Sequence, residues 1–167
     1  MFTAATIGDD ELCELARRNP GWRIEWVDGR AIMSPPTGFG TGRRNSRLVR
    51  LLDIYAEAHG FTSSDSSGGF RLPDGAVIAP DASLVASERL SAFSADEQEA
   101  FLALVPDVVV ELVSNTDDPK ATAEKCERWR RYGVGYVAML DPYREPKVRT
   151  WGEASSEFPD VSTIVAR

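Results

Sequence analysis

The sequence predicts a single α/β domain, and three observations carry that expectation. Residues 106–125 read P-D-V-V-V-E-L-V-S-N-T-D-D-P-K-A-T-A-E-K: an apolar, mostly β-branched run, a polar break and the start of a helix. A second apolar run, Gly135 to Leu140, follows that helix. Upstream, two short strand patterns flank Asp28-Gly29, a hairpin signal, and precede a segment with leucines at helical spacing. A chain of 167 residues, 43% hydrophobic and 27% charged, is long enough for one domain with a sizeable core.

The bulk numbers exclude some classes. The net charge of −7 counts against a protein that coats itself on nucleic acid, while leaving room for a local basic patch. No apolar run approaches the roughly 18–20 residues of a membrane span, and the start M-F-T-A-A-T-I-G-D-D lacks the basic-then-apolar pattern of a signal peptide. A cytoplasmic location is expected. Cys13 and Cys126 are expected to be reduced, half-buried thiols, and nothing resembles a metal-ligand cluster of cysteines.

Taken in order, Thr6 with Asp9 three residues on resembles a helix cap. The next stretch puts acids first and arginines last, matching a helix dipole, with Leu12, Leu15 and Ala16 on its apolar side. Asn19-Pro20-Gly21 ends it. In the first hairpin arm, Arg23, Glu25 and Val27 share one face, and Ile24 and Trp26 the other. Pro35-Pro36 and the glycines at 38, 40 and 42 predict a flexible loop. A helix is expected from about Thr41 to Ala58, with Leu48, Leu51, Leu52 and Tyr55 as its apolar stripe and His59-Gly60 as its stop. Residues 61–72 read as two edge-like strands around a loop at Ser66–Gly69, followed by a turn at Pro73-Asp74-Gly75. Residues 76–85 read as a strand interrupted at Pro80-Asp81. Ser94-Ala95-Asp96-Glu97 carries a capping box. After the central stretch, a helix runs from Pro119 to about Tyr132, with Gly133 as its stop. Lys147 to Trp151 is a partner strand for residues 135–140, and the tail holds one weak strand, Ser162–Val165.

Charged residues pointing inward are the functional clue. Glu111 interrupts the apolar strand, and a carboxylate there must be paired, protonated or bound to a cation. On a wheel centred on Trp129, Thr122, Lys125, Cys126 and Tyr132 fall within ~60° of the centre, so Lys125 shares the core stripe. A lysine there can snorkel to water, form a structural pair with Glu111, or serve as an electrostatic group in a site. Asp81 favours the site: Pro80-Asp81 at a strand start and a glutamate inside an apolar strand, with 29 residues between the acids, is a spacing used by metal-dependent nucleases. Two carboxylates on neighbouring strands can hold Mg²⁺ or Mn²⁺, which polarises a phosphodiester and activates water. Glu25 is a third acid, either an exposed hairpin residue or a member of the site. Arg43, Arg47 and Arg50 form a stripe that is either a solvated face or a set of phosphate contacts. His59 reads as a helix-end residue, and Ser114 to Asp118 as the cap of the helix that follows.

Together these segments resemble the Uma-type restriction endonuclease family, a bacterial branch of the PD-(D/E)XK nuclease superfamily. The resemblance rests on E-W-V-D-G at 25–29, M-S-P-P at 33–36, G-F-R-L-P-D-G at 69–75, A-P-D-A-S-L-V at 79–85, P-D-V-V-V-E-L-V-S at 106–114, E-K at 124–125, Y-G-V at 132–134 and L-D-P at 140–142. It covers roughly residues 5 to 152. It implies a restriction-endonuclease-like core, a central mixed β-sheet flanked by helices. It also implies Asp81 and Glu111 as metal ligands, with Glu25 as a further acidic member. The superfamily's usual lysine stands two residues after the glutamate, where this chain has Val113; Lys125 matches the position from which this family supplies it. Relatives often carry a histidine just before the helix containing Leu48, where this chain reads G-T-G-R-R.

The expectation is a Mg²⁺- or Mn²⁺-dependent DNA endonuclease, working as a homodimer. The catalytic residues would be Glu25, Asp81, Glu111 and Lys125, with Arg43, Arg47 and Arg50 on the DNA backbone. The alternative is a catalytically inactive nuclease fold serving as a nucleic-acid-binding or regulatory module, which the acidic composition and the absent histidine favour.

Overall fold

Apolar runs that alternate with amphipathic helices build two sheets and the helices that cover them. The computed structural model of the chain describes residues 6–166. Residues 1–5, part of the segment read as lacking a signal peptide, lie outside the described residues, as does residue 167. In chain order the elements are α1 (Asp9–Arg18), β1 (Arg23–Val27), β2 (Arg30–Ser34), α2 (Phe39–His59), β3 (Phe61–Asp65), β4 (Phe70–Arg71), β5 (Val77–Ile78), β6 (Ala82–Ala86), α3 (Ser87–Leu90), α4 (Ala95–Gln98), β7 (Val108–Leu112), α5 (Pro119–Tyr132), β8 (Tyr136–Leu140) and β9 (Val148–Gly152), ending in a 3₁₀ turn at Val161–Ile164.

The larger sheet has the order β3-β6-β7-β8-β9. β7 and β8 are parallel and the other pairs antiparallel, so the sheet is mixed. α5 is the crossover that a parallel pair requires. α2 covers one face, where Leu48, Leu52, Tyr55 and Ala56 pack on Leu84, Val110, Leu112 and Ala138. α5 and the smaller sheet, of order β2-β1-β5-β4, cover the other. There Cys126 and Trp129 of α5, with Val27 and Ile78, meet Val109, Val113 and Val137. This is the mixed α/β architecture with helices on both sides that the resemblance implies.

Local chemistry explains the element ends. Asp28 and Gly29 both have positive φ, 52° and 75°, which is the geometry of a two-residue hairpin turn and the reason for the Asp-Gly pair. Gly60 and Gly133 close α2 and α5 in the left-handed conformation. Asp118 caps α5 by accepting the Lys120 N–H, with Pro119 in the first helical position. The interruption at Pro80-Asp81 is a change of sheet: β5 pairs with β1 and β4, and β6 with β3 and β7. Asp81 is thereby delivered between the two sheets.

Several expectations are corrected. The cap of α1 is Gly8, without a side-chain bond, because Ile7 is drawn into a small core with Leu12 and Val77. Of the expected apolar side only Leu12 is fully buried, and Ala16 is exposed. The segment read as a flexible loop is helical from Phe39, so the Gly40–Arg44 stretch lies in the first turns of α2. The tail forms the 3₁₀ turn rather than a strand, capped by Asp160 and burying Val161 and Ile164. The two thiols are not both half-buried: Cys13 is exposed and Cys126 buried. Among the described residues no helix is long and apolar enough to cross a membrane.

Candidate active site

Alternation along β7 decides where Glu111 goes. Val110 and Leu112 face α2, while Val109 and Val113 face α5. Glu111 shares the α5 side, 2% exposed. There the Trp129 indole donates to its Oε1 at 2.8 Å. Lys125, one helical turn before Trp129, brings its Nζ to 3.1 Å from the same oxygen. The wheel placed Lys125 on the core stripe, and its side chain is 17% exposed, at the stripe's edge rather than its centre. Ala123, Cys126 and Trp129 form the buried centre.

The hairpin supplies the third member. Glu25, on the same face of β1 as buried Val27, places Oε1 2.9 Å from Lys125 Nζ and accepts the Ala79 N–H at 3.0 Å. Lys125 Nζ in turn donates to the Ala79 carbonyl at 2.8 Å. Asp81 stands one step beyond the last paired residues of β6 and β7, Ala82 and Val110. Beyond that ladder end, Asp81 Oδ2 accepts the Leu112 N–H at 2.7 Å. Arg23, two residues before Glu25 and on its face, donates from Nη1 to Asp81 Oδ1 at 3.0 Å. Side chains from positions 23, 25, 81, 111 and 125 thus meet in one cavity of about 600 Å³, which also opens onto Thr116 and Asp118 at the start of α5.

The electrostatics follow from burial and crowding. Burial pushes the Glu111 carboxyl up, Lys125 pulls it back, and the like charges of Asp81 and Glu25 push it further up, to about 7. For Lys125, burial alone would lower the pKa, but Glu111 and Glu25 together outweigh it and hold the ammonium above its ordinary value. The same balance raises Arg23, with Asp81 the leading attraction.

The sequence reading named four of these five residues and missed Arg23. The signal was present, an arginine on the same strand face as Glu25 and a core valine, but it could equally have marked a solvated arm. The indole N–H, the Leu112 N–H and the Ala79 peptide were beyond reach, because they depend on how distant segments dock. Val113 is fully buried in the apolar core, so the position two residues after Glu111 carries packing, not charge. Arg43, Arg47 and Arg50 do not join the cavity. They are exposed on the outer side of α2, with Arg47 reaching the Thr163 carbonyl at 3.5 Å. His59 is a helix-end residue: its ring stacks on Tyr55, Nδ1 lies 2.8 Å from the Tyr55 carbonyl oxygen, and Nε2 lies 3.3 Å from Glu157.

Among the described residues no group of three or more acids, histidines or cysteines forms a ready metal cage. The donor chemistry nonetheless fits Mg²⁺ or Mn²⁺, hard ions commonly held by one or two carboxylates with water completing the shell. Asp81 and Glu111 offer two such carboxylates, and among the described residues the partner of Asp81 Oδ1 is a partly exposed arginine.

A mixed sheet between helices, with carboxylates and a lysine converging beside its central strands, belongs to the nuclease-like α/β class. The fold is similar to the crystal structure of a putative nuclease belonging to DUF820 from Anabaena variabilis, with a TM-score of 0.68 at 16% identity over 96% of this chain and 99% of that one. The family described as Uma2, putative restriction endonuclease, matches residues 9–162, and the chain belongs to that family. No curated protein matches it.

Proposed function

We propose that the protein is an endonuclease that hydrolyses DNA phosphodiester bonds with Mg²⁺ or Mn²⁺. The observation that carries this reading is the Lys125 ammonium, 2.9 Å from Glu25 and 3.1 Å from Glu111, beside an Asp81 anchored to the strand that bears Glu111. Perturbed groups gathered in a cleft are typical of active sites, and Arg23, Glu111 and Lys125 are such groups in one open cavity.

Asp81 and Glu111 would hold the metal ion. When bound, that ion supplies a polarised phosphodiester and a water of lowered pKa. Lys125, fixed by the Ala79 carbonyl and two ion pairs, stabilises the negative charge that develops on the phosphate. Glu25 orients the attacking water or a second ion. The Leu112 N–H holds Asp81 in place, and the Trp129 indole holds Glu111. Arg43, Arg47 and Arg50, exposed on α2, contact the DNA backbone outside the cavity. The chain acts as one domain and pairs as a homodimer in the cytoplasm, since two-fold assemblies are the commonest oligomers and one small domain reaches one strand.

The test is calorimetric titration with Mn²⁺. The reading expects binding that Asp81→Ala removes. If wild type and Asp81→Ala bind equally weakly, the metal site is abandoned. The inactive nucleic-acid-binding module, which the absence of a histidine ahead of α2 favours, then becomes the better account.

A further inference from the structure

We propose that Arg23 is a displaceable stand-in for the metal ion at Asp81: its guanidinium neutralises Asp81 in the metal-free protein and leaves when a divalent cation arrives. This rests on the reading of the cavity as a metal site. It assigns a role to a residue that neither the sequence motifs nor the catalytic scheme uses.

The two cations that touch these carboxylates are held in different ways. Lys125 donates to the Ala79 carbonyl and is ion-paired with both Glu25 Oε1 and Glu111 Oε1, all within 3.1 Å. Moving it would leave buried acceptors unmatched, which is costly. Arg23 enters from β1 with a third of its side chain exposed, and among the described residues its guanidinium makes one hydrogen bond, to Asp81 Oδ1. With one protein acceptor against the three contacts of Lys125, Arg23 is the less firmly held of the two.

The oxygen Arg23 takes is also the informative one. Asp81 Oδ2 already accepts the backbone Leu112 N–H, so Oδ1, whose partner is the Arg23 side chain, is the oxygen more open to a cation. Charge balance points the same way. Among the five charged side chains in mutual contact, three ionised carboxylates against Lys125 and a divalent ion are neutral, whereas keeping Arg23 in place leaves one positive charge in excess. A guanidinium released toward the cavity mouth presents a planar fork that suits phosphate oxygens, so the same residue can pass from guarding Asp81 to meeting the substrate.

Titrating Mn²⁺ into wild type, Arg23→Gln, Arg23→Lys and Asp81→Ala tests this. Arg23→Gln is expected to bind at least about tenfold more tightly than wild type, and Arg23→Lys, which keeps the charge, close to wild type. Affinity unchanged or weakened in Arg23→Gln overturns the inference even where Asp81→Ala abolishes binding, which leaves the metal site standing without the stand-in. Identical binding by wild type, Arg23→Gln and Asp81→Ala overturns both. A measurement on the wild-type protein covers the case of a variant that does not fold. The Arg23 side-chain NMR resonance is expected to move as Mg²⁺ saturates, and a resonance that stays fixed overturns the proposal.

Discussion

Glu111 is a carboxyl group held among valines, and its behaviour in the metal-free protein follows from that placement. Its pKa in the fold, raised to about 7 by burial and by Asp81 and Glu25 against the pull of Lys125, exceeds the roughly 4.3 of a free glutamate. The folded state therefore holds this proton more tightly than the unfolded chain. The resulting stability is fully present below about pH 4.5 and lost as pH rises through about 7. In EDTA, the wild-type melting temperature should fall from about pH 5 to about pH 8 relative to Glu111→Gln, by several degrees. A flat difference between the two would mean that Glu111 is not desolvated as described. Lys125 separates catalysis from structure. Lys125→Met should keep Mn²⁺ binding while cleavage drops on the order of 10²-fold or more, measured well below its melting temperature. Intact cleavage would reduce the Glu111–Lys125 contact to a structural pair. Both residues were legible in the sequence, because a period-2 strand and a helical wheel are enough to show a charge facing inward. Arg23 and the indole of Trp129 were not, because their roles are set by partners 58 and 18 positions away.

The hairpin that carries Glu25 is tied to the helix that carries Lys125. Arg128, one turn after Lys125 on α5, donates to Asp28 Oδ2 at 2.8 Å and Oδ1 at 3.2 Å, at the tip of the β1–β2 turn. That contact holds the Asp28 carboxyl below its ordinary range. On the same helix the Tyr132 hydroxyl donates to Asp74 at 2.7 Å, joining α5 to the turn before β5. These exposed ties add little stability, on the order of 1 kcal/mol or less, but they join the hairpin bearing Glu25 to the helix bearing Lys125. Arg128→Leu should therefore unfold at nearly the wild-type temperature yet cleave DNA more slowly, with faster amide exchange in Arg23–Val27. Unaltered exchange and activity would show that the hairpin is positioned by its apolar contacts alone. At this scale the sequence was informative where one rule dominates: Asp-Gly for the hairpin, leucine spacing for α2, Ser94 with Glu97 for the capping box of α4. The two edge-like strands are indeed edges, one of each sheet. It misled where tertiary packing overrode a local signal, as when Ile7 displaced the expected Thr6 cap or Val161 and Ile164 turned a strand pattern into a 3₁₀ turn.

For the whole molecule the question is how an acidic protein meets a polyanion. With a net charge of −7, the proposed DNA binding would be local, and the exposed arginines of α2 are its proposed means. Replacing Arg43, Arg47 and Arg50 together by alanine should weaken DNA binding uniformly across sequences and flatten its salt dependence by roughly one log unit of slope for each phosphate no longer neutralised. An unchanged slope would place the DNA elsewhere. The proposed homodimer should sediment at twice the 18.3 kDa of one chain. Native protein should react with one thiol reagent per chain, at exposed Cys13, because burial both hides Cys126 and raises its pKa. The layered architecture was legible from the resemblance and from the alternation of strand and helix patterns. The meeting of the two sheets at Asp81 was not, since no local rule specifies which sheet a strand joins.

The central claim is that Asp81, Glu111 and Lys125 form a metal-dependent phosphodiesterase site. The most direct measurement is the nicking of supercoiled plasmid by purified wild type and by Asp81→Ala, each with Mn²⁺ and with EDTA. Such a site predicts nicking by wild type in Mn²⁺, none in EDTA, and a loss on the order of 10²-fold or more in Asp81→Ala. Equal nicking by both proteins, or nicking by wild type that survives EDTA, would contradict it.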